Sequence, residues 1–223
     1  MKASADCCIY TISLHDALPI WDAQIDTAQS KFGGASGLFD GSGDYLSIPD
    51  SNDFDLLNGD WTIDFWFRFS DDGDSLIHSI LSKYDENDDI GWTIRIQSNE
   101  ILEEGQIEFW YYNDPADPTE WVYLATAAYI PKDTWAHIAL VRNVNSYGIY
   151  VNGVSQVLSD EDVSETLMTT DNYPLRVGAG FSGEDCFGWI DELRISKGVA
   201  RWTENFTPRS EERRVGKECR SRW

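Results

Sequence analysis

Three stretches of this chain alternate apolar side chains with polar or aromatic ones. Thr62, Asp64, Trp66 and Arg68 share one face of WTIDFWFRF, Trp61 to Phe69. Arg95 and Gln97 lie on the polar face of a second stretch, and Glu108, Trp110 and Tyr112 on that of a third. Sugars expose C–H faces that stack on aromatic rings, while carboxylates, amides and guanidinium groups hydrogen-bond their hydroxyls. If the three stretches lie side by side in one sheet, Trp66, Arg68, Arg95, Gln97, Glu108, Trp110 and Tyr112 form a glycan platform. The plainer alternative puts Trp66 and Trp110 under a loop or against a second sheet. Which face points inward decides between them, since a sandwich strand is buried on one side.

Other chemistry finds less support. The acidic run YDENDDIGW places Asp85, Asn87 and Asp89 at alternate positions, like the start of an EF-hand. Its glycine, Gly91, comes one place late, and no glutamate closes the loop. A solvated charged loop is the better reading. No G-x-S-x-G, HExxH or P-loop occurs. His78, His137 and Cys186 stand alone in sequence, which favours a packed histidine at 137 and an inert thiol at 186.

The elements that must position these residues are strands. A period of two marks Trp61–Phe69, and it recurs at Trp92–Gln97 and Ile107–Tyr112. Further short stretches are Leu38–Phe39, Tyr45–Ile48, Trp121–Ala127, Trp135–Arg142, Gly148–Gly153, Leu175–Gly180 and Phe187–Ser196. Asn152-Gly153 is a strong hairpin signal. The acidic stretches Asp71–Ser79 and Asp85–Ile90 are expected as loops. Glu161–Met168 is expected as a short helix or loop, and SKGVARWTENF as a helical turn or irregular tail. Strands at this spacing, without a long helical period, predict an all-β antiparallel two-sheet sandwich.

The chain has 223 residues, 10 tryptophans and a formal charge of −22. Aromatics suit pleated, half-buried surfaces. Such acidity repels phosphate, so nucleic acid is an unsuitable partner. Solubility is the plainest meaning of the charge, and calcium binding is another. No apolar run reaches the ~18 residues of a membrane span, so no membrane insertion is expected. The N-terminus lacks the continuous apolar segment of a signal peptide.

Both ends read as translated sequencing adapter. RSEERRVGKECRSRW, Arg209 to Trp223, matches such an adapter codon for codon, and SLHDALPI, Ser13 to Ile20, matches its opposite strand. Residues 1–20 and 209–223 are therefore read as artefact, and 21–208 as a single domain. That insert has 10 basic against 34 acidic residues, a net of −24. Of four cysteines only Cys186 remains in it, so no disulfide framework is supported.

SKFGGASGLFDGSGDYLSI, WTIDFWFRF, TWAHIALVR, IYVNG and FGWIDELRISKGVARWTENFTP together resemble laminin-G-like domains of the concanavalin-A-like jelly-roll group. The resemblance spans nearly the whole insert. It implies a non-catalytic carbohydrate- or surface-binding module of a larger extracellular or phage tail or fibre protein. A purely structural domain without ligand is the alternative. A glycoside hydrolase is disfavoured, because retaining enzymes need two carboxylates ~5 Å apart and the related E-x-D-x-x-E pattern is missing. Asp191 and Glu192 are expected on opposite strand faces. Related domains hold a structural Ca²⁺ between an early FDG-type turn and the last strand, which implies Asp40, Gly43, Asp44 and Asp191 as ligands. Family domains also begin with an apolar strand near the final one. With an adapter-like junction at Trp21 that strand is expected to be missing, and CCIYTISL has the composition to stand in.

Overall fold

A computed structural model describes residues 8–11, 18–56, 59–70, 77–85, 90–99, 104–112, 121–162, 173–180 and 184–209. Within them lie sixteen strands. The first five are β1 (Cys8–Thr11), β2 (Leu18–Ile20), β3 (Gln24–Asp26), β4 (Ser36–Asp40) and β5 (Tyr45–Ile48). The long central strands follow: β6 (Trp61–Phe69), β7 (Ile77–Asp85), β8 (Ile90–Asn99), β9 (Glu104–Tyr112), β10 (Trp121–Pro131) and β11 (Trp135–Asn143). The last are β12 (Ser146–Val151), β13 (Val154–Ser155), β14 (Leu158–Asp162), β15 (Leu175–Val177) and β16 (Phe187–Lys197). One 3₁₀ turn, Asn52–Phe54, is the only helix among the described residues.

The strands form two antiparallel sheets of eight. In the first the order is β13-β12-β11-β6-β16-β4-β3, with β1 beside the far end of β16. In the second it is β14-β10-β9-β8-β7-β15-β5-β2. This is the predicted two-sheet sandwich. Ile63, Phe65, Phe67 and Phe69 of β6 are fully buried on its inner face, as are Ile96, Phe109, Tyr111 and Leu124 of the second sheet. The alternation read in the sequence is thus the core side of each sheet. Asn152 and Gly153 both have positive φ, 50° and 78°, the conformation of the tight turn expected there.

Four local features depart from expectation. The acidic loop predicted for Asp71–Ser79 ends early, because β7 begins at Ile77; residues 71–76 lie outside the described residues. β7 escapes period-two reading for two reasons. A bulge between Ser79 and Leu81 breaks its register. Its Lys83 is fully buried and paired with Asp50 and Asp55, both at 2.9 Å. Glu161 and Asp162 end β14, while the rest of the expected helix or loop at 161–168 falls outside the described residues. Asp85 and Ile90 end β7 and β8, and residues 86–89 between them are likewise outside.

The fourth departure concerns the outer face of the first sheet, which is covered. Residues 198–209 run as an irregular strap across β6, β11 and β12. Ala200, Trp202 and Phe206 pack on Ala139, Val141 and Tyr150 in a second, smaller apolar cluster. Thr62 Oγ1 donates to the Val199 carbonyl at 3.0 Å, and Phe206 N to the Gly153 carbonyl at 2.8 Å. A Cβ at Gly153 would collide with the Phe206 carbonyl oxygen. β6 is consequently buried on both faces, with Asp64 at 1% exposure and Trp66 at 9%.

At the N-terminal end, Cys8–Thr11 pairs antiparallel with Arg194–Lys197 of the last strand. CIYT thus occupies the place expected of a stand-in first strand.

Candidate functional site

The outer face of the second sheet carries an ordered polar-aromatic cluster. Register builds it in two rows. Ser79, Arg95, Glu108 and Ala125 stand opposite one another across β7, β8, β9 and β10. Ser82, Thr93, Trp110 and Tyr123 form the adjacent row. Cross-strand neighbours on one face lie close enough for side chains to touch.

Glu108 is the hub. It is 1% exposed and accepts three hydrogen bonds: from Arg95 Nε at 2.7 Å, Trp110 Nε1 at 2.9 Å and the Tyr123 hydroxyl at 2.8 Å. The Trp110 and Tyr123 ring centroids are 4.4 Å apart. The Arg95 guanidinium lies 4.5 Å from the Trp110 ring centroid. Its Nη1 also donates to Glu184 Oε1 at 3.0 Å, and Ser79 Oγ donates to the other oxygen of Glu184 at the same distance. Gln97 stands exposed beyond them and pairs across the ladder with Gln106. Charge-assisted bonds of this kind hold both rings and the guanidinium in fixed orientations. The resulting surface can stack against a sugar ring and hydrogen-bond its hydroxyls.

The seven platform residues are not one patch. Arg95, Gln97, Glu108 and Trp110 come together here. The Tyr112 backbone pairs with Gly91 and Trp121, and its side chain lies outside the described residues. Trp66 and Arg68 sit on the other sheet, because β6 neighbours β11 and β16 rather than β8 or β9. Trp66 is buried edge-on against Phe32, 5.7 Å away, with Lys31 Nζ 4.0 Å from its ring. Arg68 pairs with Asp133 at 2.9 Å and lies 4.8 Å from the Trp189 ring. Tyr123 and Glu184 were not anticipated. Tyr123 shares a face with Trp121 and Ala125, so alternation could have found it; Glu184 lies in a loop and had no periodic signal.

The implied calcium ligands separate as well. Asp22, Asp40 and Asp44 bring carboxylate oxygens within 4.8 Å of one another. Asp44 is buried, and burial raises its pKa to about 6, helped by Asp22 and Asp40 beside it. It accepts from the backbone amides of Asp22 and Asp40, each at 3.2 Å. Gly43 donates its amide to Asp185 at 2.8 Å. Asp191 is elsewhere, because the register sets Asp40 against Phe187, four residues earlier on β16. Its carboxylate accepts from the amides of Lys31 and Phe32 at 3.0 and 2.9 Å. Asp22 takes its place in the acidic group. Three clustered carboxylates, one of them buried, are a donor set that suits a hard divalent cation.

β16 also corrects the expectation for Asp191 and Glu192. A bulge between Asp191 and Arg194 breaks the alternation, and Glu192 adopts φ 54°. Both side chains therefore serve the outer face of the first sheet. Cys186 is fully buried in the core, and burial pushes its thiol pKa up.

Two stacked antiparallel sheets in this strand order define a concanavalin-A-like jelly roll. The profile of the laminin-G type in the concanavalin A-like lectin/glucanases superfamily matches residues 40–204, and the chain belongs to that family. No curated protein matches it significantly. Among solved structures it resembles domain 4 of AbnA, a GH43 extracellular arabinanase from Geobacillus stearothermophilus, in complex with arabinotriose. The two are 19% identical with a TM-score of 0.59, covering 87% of this chain and 83% of that one. The binding domain of Paraclostridial Mosquitocidal Protein 1 is 13% identical with a TM-score of 0.59, over 92% of this chain and 46% of that one. Tailspike protein 2 of the Escherichia coli O157:H7 bacteriophage CAB120 is 8% identical with a TM-score of 0.56, over 81% and 25%. No described helix is long and apolar enough to cross a membrane.

Proposed function

We propose that the chain is a non-catalytic glycan-binding module of a larger extracellular or virion-associated protein, binding through the outer face of its second sheet. The carrying observation is the Trp110–Tyr123 pair, locked by Glu108 and flanked by Arg95 and Gln97. Stacking rings beside fixed donors and acceptors are the chemistry that saccharides need. The arabinanase domain, solved with arabinotriose, supports a glycan as partner. The tailspike and the mosquitocidal protein, of which this chain covers a quarter to a half, support a place among neighbouring domains.

A glycan array tests this. Binding is expected, and Trp110→Ala or Arg95→Ala abolishes it while the fold persists. A blank array favours the second reading, a structural domain without ligand, which the complete engagement of the Glu108 carboxylate by its own neighbours supports. Cleavage of any polysaccharide would overturn the non-catalytic assignment. A structural Ca²⁺ belongs to the same proposal, held by Asp22, Asp40 and Asp44. Isothermal titration with calcium, repeated on Asp44→Asn, tests it: binding is expected in the unmodified chain and lost in the variant.

A further inference from the structure

A cation stands among the apolar side chains on the core face of the second sheet. Lys83 of β7 lies opposite Trp92 in the ladder, and its side chain is fully buried. Its Nζ is 2.9 Å from Asp55 Oδ1 and 2.9 Å from Asp50 Oδ1. Asp55 is buried too, and the residues on either side of it, Phe54 and Leu56, belong to the main core cluster. Both carboxylates come from one short segment. Ser51 Oγ caps the 3₁₀ turn by accepting from the Asp53 amide at 3.2 Å, and the Phe54 amide donates to the Ser51 carbonyl at 3.0 Å. The turn thereby fixes Asp50 before it and Asp55 after it within reach of one ammonium.

An ion pair alone accounts poorly for this arrangement. Withdrawing an ammonium and a carboxylate from water commonly costs more than their attraction returns. Here a second carboxylate joins them, so the trio keeps a net negative charge beside the core. Desolvation of that kind favours uncharged partners over charged ones. An amine held in fixed geometry against a carboxyl group reacts at an effective molarity of about 10⁵–10⁸ M. Water, which would reverse the reaction, has no access to a fully buried Nζ. The Asp50 side chain is 31% exposed, which leaves an outlet to solvent on one side of the trio.

We propose that Lys83 and Asp55 are a self-modification site that closes an intramolecular isopeptide bond, with Asp50 as the proton carrier. Asp50 takes a proton from the Lys83 ammonium, and the freed amine attacks Asp55 Cγ. A C–N bond forms, and one C–O bond of the Asp55 carboxyl breaks. Of the three ammonium protons, one stays on the amide nitrogen and two pass through Asp50 to the departing oxygen, which leaves as water. Nothing is oxidised or reduced, and Asp50 ends as it began. The product is a neutral amide in place of two charges. It ties the segment after β5 to β7 across 28 positions of the chain, and such a link restricts the unfolded state. The site lies on the opposite face of the sheet from Trp110 and stands whether or not that face binds glycan.

The test is mass spectrometry of the full chain after unfolding in denaturant. The intact mass is expected to fall short of the sequence mass by one water molecule. Trypsin cuts after Lys31, Arg68 and Arg95 but not after an acylated lysine, so residues 32–68 and 69–95 should emerge as one branched fragment. Its fragmentation should place the branch between Asp55 and Lys83. Lys83→Arg should show neither the water loss nor the branch, because a guanidinium keeps its proton. Asp50→Asn preserves both partners and should form the link about a hundredfold more slowly when freshly synthesised chain is followed in time. Asp50→Glu, which returns a carboxylate, should recover part of that rate. A full sequence mass in the unmodified chain, with residues 32–68 and 69–83 released as separate fragments, overturns the site. A branch joining any other pair of residues does the same. Equal rates in the unmodified chain and Asp50→Asn, or in Asp50→Asn and Asp50→Glu, overturn the role given to Asp50.

Discussion

Glu108 shows how one carboxylate organises a surface. Its two oxygens orient Arg95, Trp110 and Tyr123 at once. Glu108→Gln keeps the shape and removes the charge that strengthens those bonds. Urea denaturation should show a loss of about 1.5–3 kcal/mol, with glycan binding weakened in parallel as the rings lose alignment. Asp44 gives a pH signature. Its pKa is raised to about 6 by burial and by Asp22 and Asp40, against about 3.9 when unfolded. The fold therefore binds that proton more tightly than the unfolded chain does. Its stabilisation is complete below pH ~4 and fades as pH rises through 6. In chelator, the melting temperature of the unmodified chain should drop relative to Asp44→Asn between pH 4 and 7. Calcium at neutral pH should close that gap. Equal pH profiles for the two proteins would contradict the assignment. At this scale the sequence named Arg95, Gln97, Glu108 and Trp110 correctly as neighbours. It joined Asp191 to Asp40 wrongly, because ligand sets depend on register between strands far apart in the chain.

Among the elements, β6 is the keel of the first sheet. Ile63, Phe65, Phe67 and Phe69 plug the core from one side, while Thr62, Asp64 and Trp66 carry the strap on the other. Phe65→Ala should cost about 3–5 kcal/mol in urea denaturation, through lost burial and the cavity left behind. Asp64→Ala should cost a similar ~3–5 kcal/mol, because Arg194 then keeps a largely buried charge without its bidentate partner. Near-neutral behaviour of Asp64→Ala would mean that water reaches Arg194 freely. β6 was plain in the sequence because its apolar face alternates without interruption. β7 was not, since its bulge and its buried Lys83 break the same pattern. For the strap the sequence left a helical turn and an irregular tail both open, and the structure shows the irregular tail. Its role in sealing the Trp66 side followed only from where the last strand delivers it.

At the scale of the whole molecule, charge and topology pull in different directions. A formal −22 on one jelly roll makes self-repulsion an appreciable opposing force. Salt screens such repulsion over about 10 Å at 0.1 M, so the melting temperature should climb by a few degrees between low salt and about 0.15 M sodium chloride. A flat response would mean that the carboxylates are already paired or neutralised by bound cation. The strand pairings run against sequence order: β16 inserts between β4 and β6, and β15 between β5 and β7. The sequence by itself determined the all-β class, most strand positions, the core faces and the family. Each of these rests on local alternation and turn chemistry, which are written residue by residue. Tertiary structure alone decided that Trp66 and Trp110 lie on different sheets, that Asp22 joins Asp40 and Asp44, and that the strap covers the outer face of β6. Those outcomes depend on which distant strands pair and in what register, and a period of two is the same for every strand that has it.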